Sequence, residues 1–256
     1  MIDIHCHLLP GLDDGPATPA DALALAQALV ADGITHVVAT PHVFPGRFDN
    51  RRSGVQAARA GFAALLAARG VPLQLRCAGE VRLTPEVLDL LSLNELPWLG
   101  DRPGLRTMLL EMPDDQVPLG ALAFVHALQR EGITPVLAHP ERNRGVMAQP
   151  ERLRPFLETG CRVQVTAGSL VGQFGAKAQA AAEALLEQGW VHAVASDAHN
   201  LRGRVPRMAD ARRWLMEQAG EDFARELTVA GPARLCGWPA ADQEATAALV
   251  GGLAHA

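Results

Sequence analysis

Helix-length stretches rich in alanine and leucine alternate with short β-branched runs along most of the chain. Four junctions share one form, in which a helical pattern meets a glycine and then an apolar run. They read GITHVVATPH from Gly33, GITPVLAHPE from Gly132, GCRVQVTAGS from Gly160 and GWVHAVASDAH from Gly189. Each glycine suits the left-handed position that ends a helix. The run after it reads as a parallel strand buried on both faces. Three further runs, MIDIH, PLQLRCAGE and RTMLLEM, bring the expected strands to seven.

Helical patterns fall at roughly 18–31, 50–69, 118–131, 175–188 and 207–227, and Thr18–Pro19 and Thr84–Pro85 read as helix starts. This alternation predicts a closed or nearly closed parallel β/α architecture. No composition shift or linker divides it, so residues 1–256 read as a single domain. The stretch 92–104, SLNELPWLGDRPG, is the most loop-like insertion, and the last twenty residues are expected at the periphery.

Composition narrows the class. Hydrophobic residues make up 48% of the chain, ample for a large core, and the net charge of -5 argues against a nucleic-acid-coating surface. No apolar run approaches the ~20 residues that span a bilayer, and residues 1–4 carry neither the charged nor the apolar region of a secretory signal. The four cysteines stand far apart with no CxxC pair, which fits a reduced, cytoplasmic protein.

The chemistry-bearing side chains fall on the expected strand ends. His5 and His7 close the first strand, with Asp14 in the loop behind them, and His42 follows the second. Glu80 ends the third, Glu111 the fourth and His139 the fifth, while Asp197 and His199 end the last. That edge is where β/α barrels build active sites, because the loops converge there on one axis. An H-x-H pair also puts both imidazoles on one side of an extended chain. Imidazole and carboxylate without thiolate suits Mn, Fe or Zn in a hydrolytic site.

His36, His126, His192 and His255 lie within strand or helix patterns or in the tail and read as structural. Cys6, between the two histidines, points to the opposite face and is expected to be a buried small hydrophobe. A cysteine-phosphatase loop needs an arginine six positions after the nucleophile. Leu12, Leu83, Ala167 and Asp242 occupy those positions, so a thiol mechanism fails at every cysteine.

The motifs IDIHCHLLPGLDDG, ATPH, CAGE, LLEMP, AHPER and SDAHN, in order from residue 1 to about 206, resemble the polymerase-and-histidinol-phosphatase (PHP) superfamily. Within it they are most similar to the bacterial tyrosine-protein phosphatases of capsule and exopolysaccharide synthesis. The chain departs from that pattern in carrying Cys6 where serine is more usual and in lacking tyrosine.

The resemblance implies a single PHP-type domain, a distorted seven-stranded β/α barrel holding three divalent metal ions, most commonly Mn2+, with Fe or Zn as alternatives. By motif, His5, His7 and Asp197 hold one ion and Glu80 bridges to a second completed by Glu111 and His139. Asp14, His42 and His199 hold the third. Asp13 is expected to be a turn or cap residue instead. Four carboxylates are formally neutralised by two divalent ions, whereas three leave a net positive site that attracts a phosphate dianion.

The implied reaction is hydrolysis of phosphotyrosine by a metal-activated hydroxide. Arg142 and Arg204 are the expected catalytic and phosphate-binding cations, and Arg47 a further substrate-binding candidate. The implied partner is an autophosphorylated bacterial tyrosine kinase controlling polysaccharide export, with no nucleic acid and no membrane insertion. A sister phosphoesterase acting on a small monoester such as histidinol phosphate would share the chemistry. A TatD-like nuclease or an amidohydrolase fits less well. Many amidohydrolases bridge their metals with a carbamylated lysine, and the sole lysine, Lys177, lies in a helix pattern; a nuclease would show a basic groove.

Overall fold

The computed structural model describes residues 1–239; His255 and nearly all of the last twenty residues lie outside the described part. The strands are β1 (Ile2–Cys6), β2 (His36–Ala39), β3 (His42–Val43), β4 (Gln74–Cys77), β5 (Glu80–Arg82), β6 (Gly100–Arg102), β7 (Leu105–Glu111), β8 (Thr134–Ala138), β9 (Arg162–Thr166) and β10 (Ala193–Ala195). Helices connect most of them, the longer ones being Pro19–Ala31, Arg52–Ala68, Ala121–Arg130, Ala176–Glu187 and Met208–Ala219. All strand pairs are parallel except β6 with β7. Residues throughout β2, β8 and β10 are buried or nearly so, as expected of strands covered on both faces.

The mostly parallel α/β architecture matches expectation, but the described strands are ten and form two sheets, neither closed on itself. One sheet runs β1-β2-β4; the other runs β10-β9-β8-β7-β5-β3, with β6 on the side of β7. The second and third expected strands each divide, into β2 and β3 and into β4 and β5. Pro41 has no N–H to donate and interrupts the first of these ladders. Gly79 interrupts the second, where an added Cβ would lie 2.6 Å from both Pro97 and Val43. Thr40 donates its N–H to the Cys6 carbonyl, and Ala78 donates to Ala39 across the breaks. A bridge between Cys6 and Ala198, with Asp197 N–H donating to His5 O and His7 N–H to Ala198 O, ties the end of β1 to the segment after β10.

Gly33, Gly132, Gly160 and Gly189 all adopt positive φ after a helix, as their spacing predicts. Thr18 caps its helix by accepting the Asp21 N–H. Thr84 does not cap one; the helix there starts at Val87, with Glu86 at its cap and no side-chain bond. The expected helix over 207–227 breaks at Gly220, and the loop-like 92–104 contains β6, paired with β7 through a Pro103–Gly104 turn. One large hydrophobic cluster lies between sheets and helices. A smaller one gathers Ile2, Ile4, Val38, Leu109 and Val136 with Ala233, Leu235 and Trp238 of the C-terminal helical segment. Among the described residues no helix is long and apolar enough to cross a membrane.

Candidate metal centre and active site

The broken strands set the site. His42 and Glu80 open β3 and β5 instead of closing longer strands, and they face each other in register. Glu111 ends β7 opposite Arg82. His139 and Asp197 follow β8 and β10 in the left-handed backbone region, at φ 32° and 50°. Non-glycine residues rarely hold that conformation, and those that do cluster at functional sites. The Asp3 carboxylate supplies a restraint for Asp197. It accepts Ser196 N–H and Oγ–H at 3.0 and 2.5 Å, while Ser196 Oγ receives Ala198 N–H. Glu141, fully buried beside His139, accepts from Thr166 N–H and Ser169 Oγ and ties that turn to the end of β9.

All nine expected ligands converge here. Their donor atoms form four overlapping groups: His7, Asp14, His42 and His199; His5, His7 and Glu80; His5, His139 and Asp197; and His42, Glu80 and Glu111. His139 therefore falls with His5 and Asp197, and its Nε2 also lies 2.6 Å from Glu80 Oε1. His36 packs edge-on against Trp238, His192 receives Val163 N–H, and Cys6 is fully buried; none of the three joins the cluster.

The imidazoles are aimed by their outer nitrogens. His5 Nδ1–H donates to Gln164 Oε1 at 2.8 Å, and His7 Nδ1–H donates to Asp13 Oδ2 at 2.6 Å. In the neutral rings both Nε2 lone pairs then point inward, 3.3 Å apart. Glu80 Oε2 lies 3.4 and 3.2 Å from them, and Asp197 Oδ1 lies 3.4 and 3.5 Å away. Asp197 Oδ1 is buried and has no hydrogen-bond partner at all. Acceptor atoms turned on one another at the floor of a site, with an orphaned carboxylate oxygen among them, are what a cation requires. The residues present thus fit a divalent-metal centre.

The electrostatics of the cluster point the same way. Burial works to lower the His5 and His7 pKa values, yet Glu80 and Asp197 carry His5 above its ordinary value, and Asp13, Asp197 and Glu80 carry His7 well above. Burial, with the Glu80 charge beside it, pushes Glu111 up to about 7, although Arg82 opposes the rise. Burial holds His139 and His199 near 4, neighbouring Arg142 and His7 adding to the effect respectively. The hydrogen bond from His199 is the main cause of a lowered Asp14 pKa.

Over this floor opens a cavity of about 410 Å³. Arg142 Nη1 and Arg204 Nη2 each donate to Asp197 Oδ2 at 2.5 Å, and Arg204 Nη1 also lies 2.8 Å from His199 Nε2. Arg47, in an exposed turn, lies over the Phe48 ring at the cavity's edge. Sequence reasoning missed Arg82, which lines the same cavity and pairs with Glu111 at 3.0 Å. It stands two residues after Glu80 on one strand, so the period of two already put both on one face. Gln164 was likewise missed; it stands between Val163 and Val165 on β9 and belongs to no motif. Asp13 does make the expected turn bond, to Gly15 N–H, but its other oxygen orients His7 and accepts His42 N–H.

The capsular polysaccharide synthesis CpsB/CapC family model matches residues 1–236. Tyrosine-protein phosphatase YwqE of Bacillus subtilis is 38% identical over 228 residues, 89% of each chain. Tyrosine-protein phosphatase CpsB of Streptococcus agalactiae is 30% identical over 234 residues, 90% of this chain and 95% of its own. A chain from the crystal structures of YwqE from B. subtilis and CpsB from Streptococcus pneumoniae, described as unique metal-dependent tyrosine phosphatases, superposes with a TM-score of 0.85. It is 36% identical and covers 92% of this chain and 94% of that one. A β-aspartyl dipeptidase from Fervidobacterium islandicum AW-1 shares the fold alone, at TM-score 0.55 and 13% identity, covering 92% and 72%. The sole lysine, Lys177, is exposed on helix Ala176–Glu187 and is not among the clustered side chains.

Proposed function

The chain belongs to the CpsB/CapC family of capsular polysaccharide synthesis, and from that premise we propose that it is a metal-dependent protein-tyrosine phosphatase. The observation that carries the reading is the orphaned Asp197 Oδ1, ringed by inward imidazole nitrogens beneath a cavity lined with arginines. We read the two sheets as one distorted barrel wall split at the β2/β3 and β4/β5 breaks, and residues 1–256 as one domain. The Cys6–Ala198 bridge supports that reading.

In this reading His5, His7 and Asp197 would hold one ion and Glu111 and His139 a second, with Glu80 between the two sets; the His139 donor also groups with His5 and Asp197 and lies 2.6 Å from Glu80. Asp14, His42 and His199 serve a third. The hard and borderline donors suit Mn2+ best, with Fe or Zn as alternatives. Bound divalent ions supply water activation and neutralise phosphoryl charge.

The chain's own residues do the rest. Gln164 and Asp13 fix the tautomers of His5 and His7, keeping Nε2 free to coordinate. Arg142 and Arg204 both donate to Asp197 Oδ2 and line the cavity, so their guanidiniums are placed to bind equatorial phosphoryl oxygens. Arg47 guards the entrance. A phenolate leaves with a reference pKa of ~10, so no side chain need act as a strong acid.

The substrate class is a phosphotyrosine protein, and the chemistry fits an autophosphorylated bacterial tyrosine kinase of polysaccharide export. Four free cysteines, three of them buried, fit a cytoplasmic setting. The test is a metal-reconstituted assay comparing a phosphotyrosine peptide, a phosphoserine peptide and histidinol phosphate. Preference for the first is expected; preference for histidinol phosphate would move the enzyme to the small-monoester branch.

A further inference from the structure

Three of the chain's seven phenylalanines, Phe44, Phe48 and Phe174, line the active-site cavity, and all three are half-buried. Each carries a cavity arginine on its face. Arg82 lies 5.3 Å from the Phe44 centroid, Arg47 lies 5.2 Å from Phe48, and Arg142 lies 4.9 Å from Phe174. Aromatic surface and phosphate-binding cations are thus interleaved around one opening, which is the composition an aryl phosphate presents in reverse.

The three rings are not equivalent. Phe48 stacks on the His42 imidazole at 5.3 Å and 10°, so its ring is committed to holding a candidate metal ligand. Phe44 and Phe174 have no such duty and come from separate elements. Phe44 follows β3 and starts a tight turn, in which Asp49 accepts Gly46 N–H and Phe44 pairs with Phe48 across the hairpin. Phe174 sits just before helix Ala176–Glu187, seated over Gly168. A Cβ on Gly168 would come within 3.0 Å of the Phe174 ring and 2.3 Å of Gln173 Oε1. The hairpin thus sets the Phe44 backbone, and the Phe174 ring packs close against Gly168.

We propose that Phe44 and Phe174 are the specificity-determining residues that make this site select aryl over alkyl phosphates. The reading rests on the phosphatase function above and names how its substrate class is chosen. The ring of a phosphotyrosine packs against these two faces while its phosphoryl group reaches the metal floor. Arg82 and Arg142 cover the same faces in the free protein, so a ring entering displaces each guanidinium from its phenylalanine at the moment a phosphoryl oxygen becomes available to it. A cavity of about 410 Å³ holds one such side chain. An alkyl phosphate gains the phosphoryl contacts but leaves the rings to the arginines.

Aryl phosphates also react faster simply because phenolate is a good leaving group, so rates alone do not test ring recognition. Phenylphosphonate and methylphosphonate are not hydrolysed and differ only in the group on phosphorus. Their dissociation constants for the metal-loaded protein, read by calorimetry, isolate the contribution of the ring. Phe44→Leu and Phe174→Leu are expected to weaken phenylphosphonate about three- to tenfold each, with a much smaller change for methylphosphonate. Phe44→Tyr and Phe174→Tyr keep a ring and are expected to retain the wild-type ratio, which guards against misfolding as the cause.

Equal weakening of both ligands, or an unchanged ratio in both leucine variants, would overturn the proposal while leaving a wild type that still hydrolyses phosphotyrosine. A wild type with no activity on phosphotyrosine would overturn the functional reading itself, and this proposal with it.

Discussion

The Nδ1–H of His7 donates to Asp13 Oδ2 at 2.6 Å, and the same carboxylate oxygen accepts the backbone N–H of His42. One half-buried aspartate with a shielded carboxylate, which reads in sequence as a turn residue, thereby fixes two expected ligands at once. It sets the tautomer of the first and the backbone position of the second. Outer carboxylates of this kind raise the basicity of the imidazole and hold its ring, and losing one typically costs 10–100-fold in metal affinity. Asp13→Ala is expected to weaken Mn2+ binding by about that factor while the protein stays folded. Asp13→Asn, which keeps an acceptor but not the charge, is expected to fall between. Metal content after dialysis and titration calorimetry check this, and wild-type affinity in the alanine variant would limit Asp13 to its turn.

Arg142 and Arg204 meet on a single oxygen, Asp197 Oδ2. Both also line the cavity, where a bound phosphoryl group would be a second anion for them. Removing one preorganised donor to developing charge costs about 10²–10³ in rate, so Arg142→Ala is expected to lower kcat/KM on an aryl phosphate by that order. Arg142→Lys is expected to recover little, because an ammonium does not reproduce the planar fork. Metal content is measured alongside. A variant that loses its ions in proportion to its activity would reassign Arg142 to holding Asp197.

Much of this was legible in the sequence because the chemistry follows a backbone period. His5 and His7 share a centre because an extended chain repeats every two residues, and glycines 33, 132, 160 and 189 mark helix ends through their positive φ. The breaks in the second and third strands were harder to see. They depend on what Gly79 packs against and on the missing N–H of Pro41, which is a tertiary matter. The same is true of Gln164, whose bond to His5 joins residues 159 apart in the chain, and of Phe174, whose seat over Gly168 appears only in three dimensions. Arg82 is different: its position two after Glu80 was enough to aim it at the site, and only the absence of a motif hid it.

Chelation should report on the ion site without an assay. Ions that bind the folded chain alone stabilise it by mass action, about 2.7 kcal/mol at a hundred times Kd, which for a chain of this size is roughly 5–10 °C in Tm. Treatment with EDTA is expected to abolish phosphatase activity and lower Tm, with both restored by Mn2+. Asp197→Asn removes the charge that His5, His7, Arg142 and Arg204 all face. It is expected to flatten the dependence of Tm on Mn2+ concentration. A variant whose Tm still climbs with Mn2+ as in the wild type would remove Asp197 from the ligand set.

Asp32 offers a test of stability away from the site. Its carboxylate accepts the N–H groups of Met208 and Ala209 at the start of helix Met208–Ala219. Burial nevertheless pushes its pKa up to about 6, and the charges of Asp210 and Asp3 add to the rise against those two bonds. The folded state therefore holds a proton that the unfolded state releases near pH 4. Between those values the native form binds more protons, so this group's contribution to stability falls as pH rises from about 4 to 6 and stays low above. The penalty at neutral pH is at most about 3 kcal/mol. Asp32→Asn keeps an acceptor for the helix N–H groups and carries no charge to desolvate. It is expected to raise Tm by a few degrees at pH 7, with the gain shrinking towards zero at pH 4. Melting curves of both proteins across that range decide it. A loss of stability at pH 7 would show that the charge on the helix terminus outweighs the cost of burying it.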